Sequence, residues 1–123
     1  MSAVQVLLVD DNPDFVQVAA EFLAADPDIE ITGVATSGER ALELADSYHP
    51  DLVIMDLAMP GMGGLEATRQ LKARPNPPAV IILSLYSDEA YLEQARRAGA
   101  DEEVSKSDLG VALLPLIRQM FNR

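Results

Sequence analysis

The sequence predicts a doubly wound α/β fold, three layers α/β/α, around a five-stranded parallel sheet with strand order 2-1-3-4-5. Three observations predict it. Apolar runs alternate with helical patterns along the whole chain, and β–α alternation builds parallel sheets covered by helices. The first, third and fourth runs are continuously apolar, as central strands buried on both faces must be. The second run alternates and the fifth is polar, which sends both to the edges of the sheet.

"VQVLLV" (Val4–Val9) is the first strand. The helix after it has Asn12 as cap and Pro13 at its first helical position, with Phe15, Val18, Ala19, Phe22 and Leu23 at helical spacing. Asp26-Pro27 closes it. "IEITGV" is the half-exposed second strand. "TSGERALELADSY" opens a helix on Thr36, with Glu39 three residues on as a capping box. "LVIM" (Leu52–Met55) is the third strand and "GLEATRQLKA" the third helix. The turn-rich "RPNPP" leads into the fourth strand, "AVIILS". "SDEAYLEQARRAGA" is a helix stopped by Gly99, and "DEEVS" is a short fifth strand. From Ser107 onward the pattern is helical again, with Pro115 inside it. Right-handed crossovers leave the flavodoxin-like order, whose ligand crevice lies where the strand order reverses, between strands one and three.

At 123 residues the chain is expected to be one domain (1–123), with no second domain inside it. It has no cysteine, so disulfides, thiolate metal sites and Cys nucleophiles are excluded. There are 9 Lys+Arg against 20 Asp+Glu, a net charge of −11. That acidity argues against direct nucleic-acid contact or an anionic membrane. The N-terminus lacks the basic and small-residue features of a signal peptide, and no apolar stretch spans a membrane, so a cytoplasmic location is expected.

The predicted crevice is where the acidity has a use. The first strand ends at Asp10 and Asp11, the third at Asp56, the fourth at Ser84, and Lys106 lies beyond the fifth. Three close carboxylates repel one another unless a cation is present. Oxygen ligands without His or Cys favour Mg²⁺ or Mn²⁺. A carboxylate can attack a phosphoryl group, while a metal, a lysine and a hydroxyl stabilise its equatorial oxygens.

With those residues in place, the chain resembles the receiver domains of the two-component response-regulator family. The likeness covers essentially the whole chain. It rests on "DD" after strand one, "DLAMPGMGG" after strand three, "ILS" ending strand four, and "AGADEEVSK". "SLYSDEAYLEQARRAGA" further resembles receivers that precede a helix-turn-helix DNA-binding domain. The resemblance implies that Asp56 accepts a phosphoryl group from a sensor histidine kinase or phosphotransfer protein. It implies an Mg²⁺ (or Mn²⁺) site of Asp10, Asp11, Asp56 and the Ala58 backbone carbonyl, with Asp11 binding directly and Asp10 mostly through water. Lys106 would pair with the phosphoryl group and Ser84 would hydrogen-bond it. Met59, Pro60 and Gly64 match the family's loop. The output is a conformational switch, read by a transcription-regulating domain, a partner protein or a second copy, with Tyr86 near the output face. One position departs: three residues before the lysine, where the family carries Phe or Tyr, stands Glu103. A carboxylate turning inward would be desolvated beside a dianion, so Glu103 is expected to stay solvent-facing.

Taken singly, these residues have ordinary readings. Asp10 and Asp11 could simply precede a helix N-terminus, Asp56 and Ser84 could form turns, and Lys106 could be a surface lysine. The only histidine, His49, reads as structural beside a proline turn, and "GMGG" matches no phosphate-loop pattern. A phosphatase with an aspartate nucleophile wants a second Asp where Ala58 stands. A flavin module wants a Ser/Thr/Gly phosphate loop where the chain has "DDNPD". A pseudo-receiver working without phosphorylation is opposed by the complete Asp/Asp/Asp/Ser/Lys set and kept open by Glu103.

Overall fold

The computed structural model describes residues 2–59, 61–85 and 89–123. Strands β1 (Val4–Val9), β2 (Ile29–Ala35), β3 (Leu52–Asp56), β4 (Ala79–Ser84) and β5 (Glu102–Ser105) alternate with helices α1 (Pro13–Ala24), α2 (Gly38–Tyr48), α3 (Gly64–Lys72), α4 (Glu89–Arg97) and α5 (Leu109–Phe121). They build one parallel sheet in the order β2-β1-β3-β4-β5. All five residues of β3 are buried, as a strand covered on both faces requires. Side-chain alternation divides the core in two. Leu7, Val9, Val53, Met55 and Ile82 pack with residues of α2, α3 and α4. Val6, Leu8, Ile54, Ile81, Leu83 and Val104 pack with residues of α1 and α5.

β1 and β2 slip register between Val6 and Leu7, which leaves Thr32 without a strand partner. Its hydroxyl instead donates to the Val6 carbonyl at 3.2 Å, so the bulge keeps that oxygen satisfied.

The helix ends mostly follow the sequence. Asn12 Oδ1 accepts from the backbone N–H groups of Asp14 and Phe15 (3.0 and 3.3 Å), and Pro13 occupies the first turn of α1. Gly99 stops α4 with φ 106°. The N–H of Gly99 bonds the Arg96 carbonyl and that of Ala100 bonds the Ala95 carbonyl, the paired closure of a left-handed C-terminal cap. His49 caps the C-terminus of α2 in the left-handed region (φ 47°), a structural role as expected. α5 runs through Pro115, which is exposed like Val111, whose carbonyl loses its helical donor there.

One cap is a correction. Ser37, not Thr36, caps α2, its hydroxyl accepting from the Arg40 N–H at 3.1 Å. The helix starts at Gly38, a residue that passes close to another backbone and has no room for a side chain. A Cβ there would lie 2.4 Å from the Met62 carbonyl oxygen. With the cap shifted by one residue, Glu39 is a position too early to close a capping box.

Two ties fasten helices to distant loops. Lys72 of α3 bonds the Pro78 carbonyl and Asp101, and Asp101 also accepts from the Val80 N–H. Arg118 of α5 pairs at 2.8 Å with Asp26, a buried carboxylate in the loop between α1 and β2.

Candidate functional site

The site forms because two central strands end side by side. Asp10 follows β1 directly, and its backbone N–H is held by the Ala35 carbonyl at 3.0 Å. Asp56 is the last residue of β3, and Ser84 closes β4. Lys106 opens the 3₁₀ turn after β5. All four, with Asp11, Asn12, Leu57, Ala58 and Leu85, line one crevice of about 170 Å³ beyond the carboxyl ends of the strands. The sequence placed its crevice there, at the reversal of strand order.

The carboxylates of Asp10, Asp11 and Asp56 offer oxygens that all lie within 4.8 Å of one another. Their environments differ. Asp10 is fully buried and Asp56 is 5% exposed, while Asp11 faces solvent. Asp10 Oδ1 accepts from the Asn12 N–H at 2.9 Å. Asp10 Oδ2 lies 2.9 Å from Lys106 Nζ, an ion pair without hydrogen-bond alignment, and it has no hydrogen-bond donor among the described residues. Lys106 Nζ lies 3.4 Å from Asp56 Oδ1. Its third neighbour is the ring of Phe15, whose centroid is 4.4 Å away.

Burial, and then the charge of Asp10, push Asp56 up from 3.8 to about 6, against the opposing pull of Lys106 and the Ala58 backbone. For Lys106, burial works against the charged form. Close contact with Asp10 and the charges of Asp56 and Asp10 outweigh it and hold the ammonium above its ordinary pKa. One ammonium thus touches two of the three carboxylates of the site. A buried carboxylate oxygen without a donor, an acceptor set made only of oxygen, and a raised Asp56 all fit a hard divalent cation at this place.

The loop after β3 is held close to the site. The Gly64 N–H donates to the Leu57 carbonyl at 3.2 Å, and a Cβ on Gly64 would sit 2.1 Å from the Asp56 carbonyl oxygen. Met59 is buried and Ala58 is exposed at the rim. Tyr86 and Pro60 lie outside the described residues.

Glu103 stands on the face of β5 that looks toward α4, opposite Ile82 in the register. Its side chain is 32% exposed and does not stand free in solvent. Arg96 of α4 grips both of its oxygens, with Nε at 3.0 Å from Oε2, and reaches Glu89 and Glu93 as well. Glu103 and then Glu89 raise the Arg96 pKa through their hydrogen bonds and charges. Arg96 and Phe15 are the neighbours that sequence reasoning did not connect to these positions. Phe15 was legible as a helix residue facing the core. The helical spacing of Phe15 relative to the cap Asn12 was the available signal that its ring sits near the strand ends.

The fold and crevice define a doubly wound α/β protein with an oxygen-only acidic centre and one half-buried lysine at the topological switch point. The chain belongs to the response regulator receiver domain family, which it matches over residues 6–115. It is 33% identical to the transcriptional regulatory protein DegU of Brevibacillus brevis over 94% of this chain and 49% of that protein. It is 37% identical to a protein-glutamate methylesterase/protein-glutamine glutaminase of a Nocardioides species, covering all of this chain and 37% of that one. The crystal structure of the response regulator domain of Thermotoga maritima CheB superposes with a TM-score of 0.89 at 30% identity, over 98% of each chain. The chain spans about half the length of the transcriptional regulatory relatives it matches. Among the described residues no helix is long and apolar enough to cross a membrane.

Proposed function

We propose that this domain is a phosphorylation-controlled switch whose phosphoacceptor is Asp56. The observation that carries the reading is the convergence of Asp10, Asp11, Asp56, Ser84 and Lys106 on one crevice at the switch point. A carboxylate oxygen of Asp56 attacks the phosphorus of a partner's phosphohistidine, and the P–N bond breaks as the imidazole leaves. Asp10, Asp11, Asp56 and the Ala58 carbonyl would hold Mg²⁺ or Mn²⁺. Bound there, the cation would neutralise charge on the phosphoryl oxygens. Lys106 pairs with one of those oxygens, and the Ser84 hydroxyl donates to another. The domain acts on itself and turns over no outside substrate. Water removes the phosphoryl group slowly.

Residues 1–123 act in this reading as one receiver unit, with its donor a sensor histidine kinase or phosphotransfer protein. The output is a transcription-regulating domain, a partner protein or a second copy, and this domain makes no nucleic-acid contact of its own. The test is mass spectrometry after acetyl phosphate and Mg²⁺. One phosphoryl adduct on the wild type, absent in Asp56→Asn, is the expected result. No adduct on the wild type would leave a pseudo-receiver as the better reading.

Glu103 takes no inward path in this switch, because Arg96 already holds it at the surface. Signalling then runs through Ser84, Tyr86 and α4. Glu103→Gln is expected to leave the thermal midpoint nearly unchanged, since exposed ion pairs contribute little, while quickening amide exchange in α4. A structure with a phosphoryl mimic that buries Glu103 beside Ser84 would overturn this role.

A further inference from the structure

We propose that Phe15 is a positioning residue for the phosphoryl-transfer site, holding the Lys106 ammonium between Asp10 and Asp56 through a cation–π contact. The inference rests on the reading of Asp56 as phosphoacceptor and adds a residue to it. Lysine carries its charge on a flexible four-carbon stem, so its position must be set by its neighbours. Two of them are carboxylates, at 2.9 Å from Asp10 and 3.4 Å from Asp56. The third is the Phe15 ring, 4.4 Å from Nζ to the centroid, inside the distance at which a ring face attracts an ammonium. The Lys106 side chain is only 18% exposed, and desolvation strengthens such a contact.

The ring is itself fixed. Phe15 lies in the first turn of α1, its N–H bonded to the Asn12 cap, and its side chain packs against the core beneath α1 and α5. Chemistry distinguishes it from a carboxylate in the same place. A third anion would bind the ammonium more tightly and hold it back when charge appears on Asp56. A ring offers a weak, neutral ledge from which the ammonium can shift toward a phosphoryl oxygen. An ordinary core role for Phe15 would be filled equally well by leucine.

The test compares wild type, Phe15→Leu and Phe15→Tyr in two measurements. Without phosphodonor or metal, the Lys106 Hε protons are followed by NMR. A lysine lying over the ring has these resonances shifted upfield in the wild type and in Phe15→Tyr, and at ordinary positions in Phe15→Leu. With acetyl phosphate and Mg²⁺, adduct formation on Asp56 is expected to slow roughly three- to ten-fold in Phe15→Leu and to recover in Phe15→Tyr. Unshifted Hε protons in the wild type would overturn the proposal. So would a leucine variant as fast as wild type, or a tyrosine variant as slow as leucine. If the wild type forms no adduct, the phosphoacceptor reading fails, and the role in transfer falls with it; the NMR arm still decides whether Phe15 positions Lys106.

Discussion

Asparagine at position 56 is expected to make the protein more stable at neutral pH in the absence of divalent cations. Asp56 is nearly buried, and its carboxylate lies beside Asp10, so it titrates near 6 in the folded protein instead of at 3.8. The sign follows from proton binding. Between these values the folded state holds a proton that the unfolded chain has released, so stability present below 3.8 is lost as the pH rises through about 6. The ionised group then costs at most roughly 3 kcal/mol, the free energy of a shift of about two pH units. Asp56→Asn removes that cost. Urea midpoints in EDTA should be higher for the variant at pH 7.5 and should converge with wild type near pH 4. Millimolar Mg²⁺ should raise the wild type toward the variant, because the cation offsets the repulsion between carboxylates. A variant less stable than wild type at pH 7.5, or a difference that ignores pH, would contradict the burial of this charge.

Alanine at position 64 is expected to cost about 3 kcal/mol or more. The residue opens α3 without a left-handed backbone, so its conformation suits any residue. What forbids a side chain is approach. The added methyl would lie 2.1 Å from the Asp56 carbonyl oxygen and 3.0 Å from both the Asp56 carbonyl carbon and the Leu57 Cα. All three are backbone atoms and no rotamer change relieves the overlap. α3 and the end of β3 must separate, which moves the proposed phosphoacceptor Asp56 as well as the core. Thermal melting should fall by roughly 10 °C, and adduct formation should drop even in protein that remains folded. Gly63→Ala is the control. Its methyl meets nothing nearer than 3.6 Å and should be tolerated. Equal melting of the two variants would show that the loop yields.

Much of this was legible from residue types alone. Strand order followed from which runs were continuously apolar, because burial on both faces leaves no room for polar alternation. The candidate site followed from the order, since topology brings Asp10, Asp11, Asp56 and Ser84 to one end of the sheet. What stayed hidden depends on contacts between elements far apart in the chain. Thr36 and Ser37 are equally good caps by chemistry, and only the folded backbone shows that Ser37 is the one that accepts from the Arg40 N–H. The bulge at Thr32 leaves no mark in an alternating strand. Glu103 stood out as a departure, yet its partner Arg96 is fixed only when α4 packs on β5. Phe15 reads as one more apolar helix position until Lys106 comes to rest over its ring.

The fifth strand carries one more consequence. β5 has four residues, begins with Glu102 and Glu103, and among the described residues pairs only with β4, so it stands at an edge of the sheet. Such an open edge invites a strand from another molecule. Here the strand is four residues long and opens on two glutamates, so it offers few backbone hydrogen bonds, and a parallel in-register pairing would set like charges against each other. The short acidic strand is therefore a poor template for adding a sixth strand to the sheet.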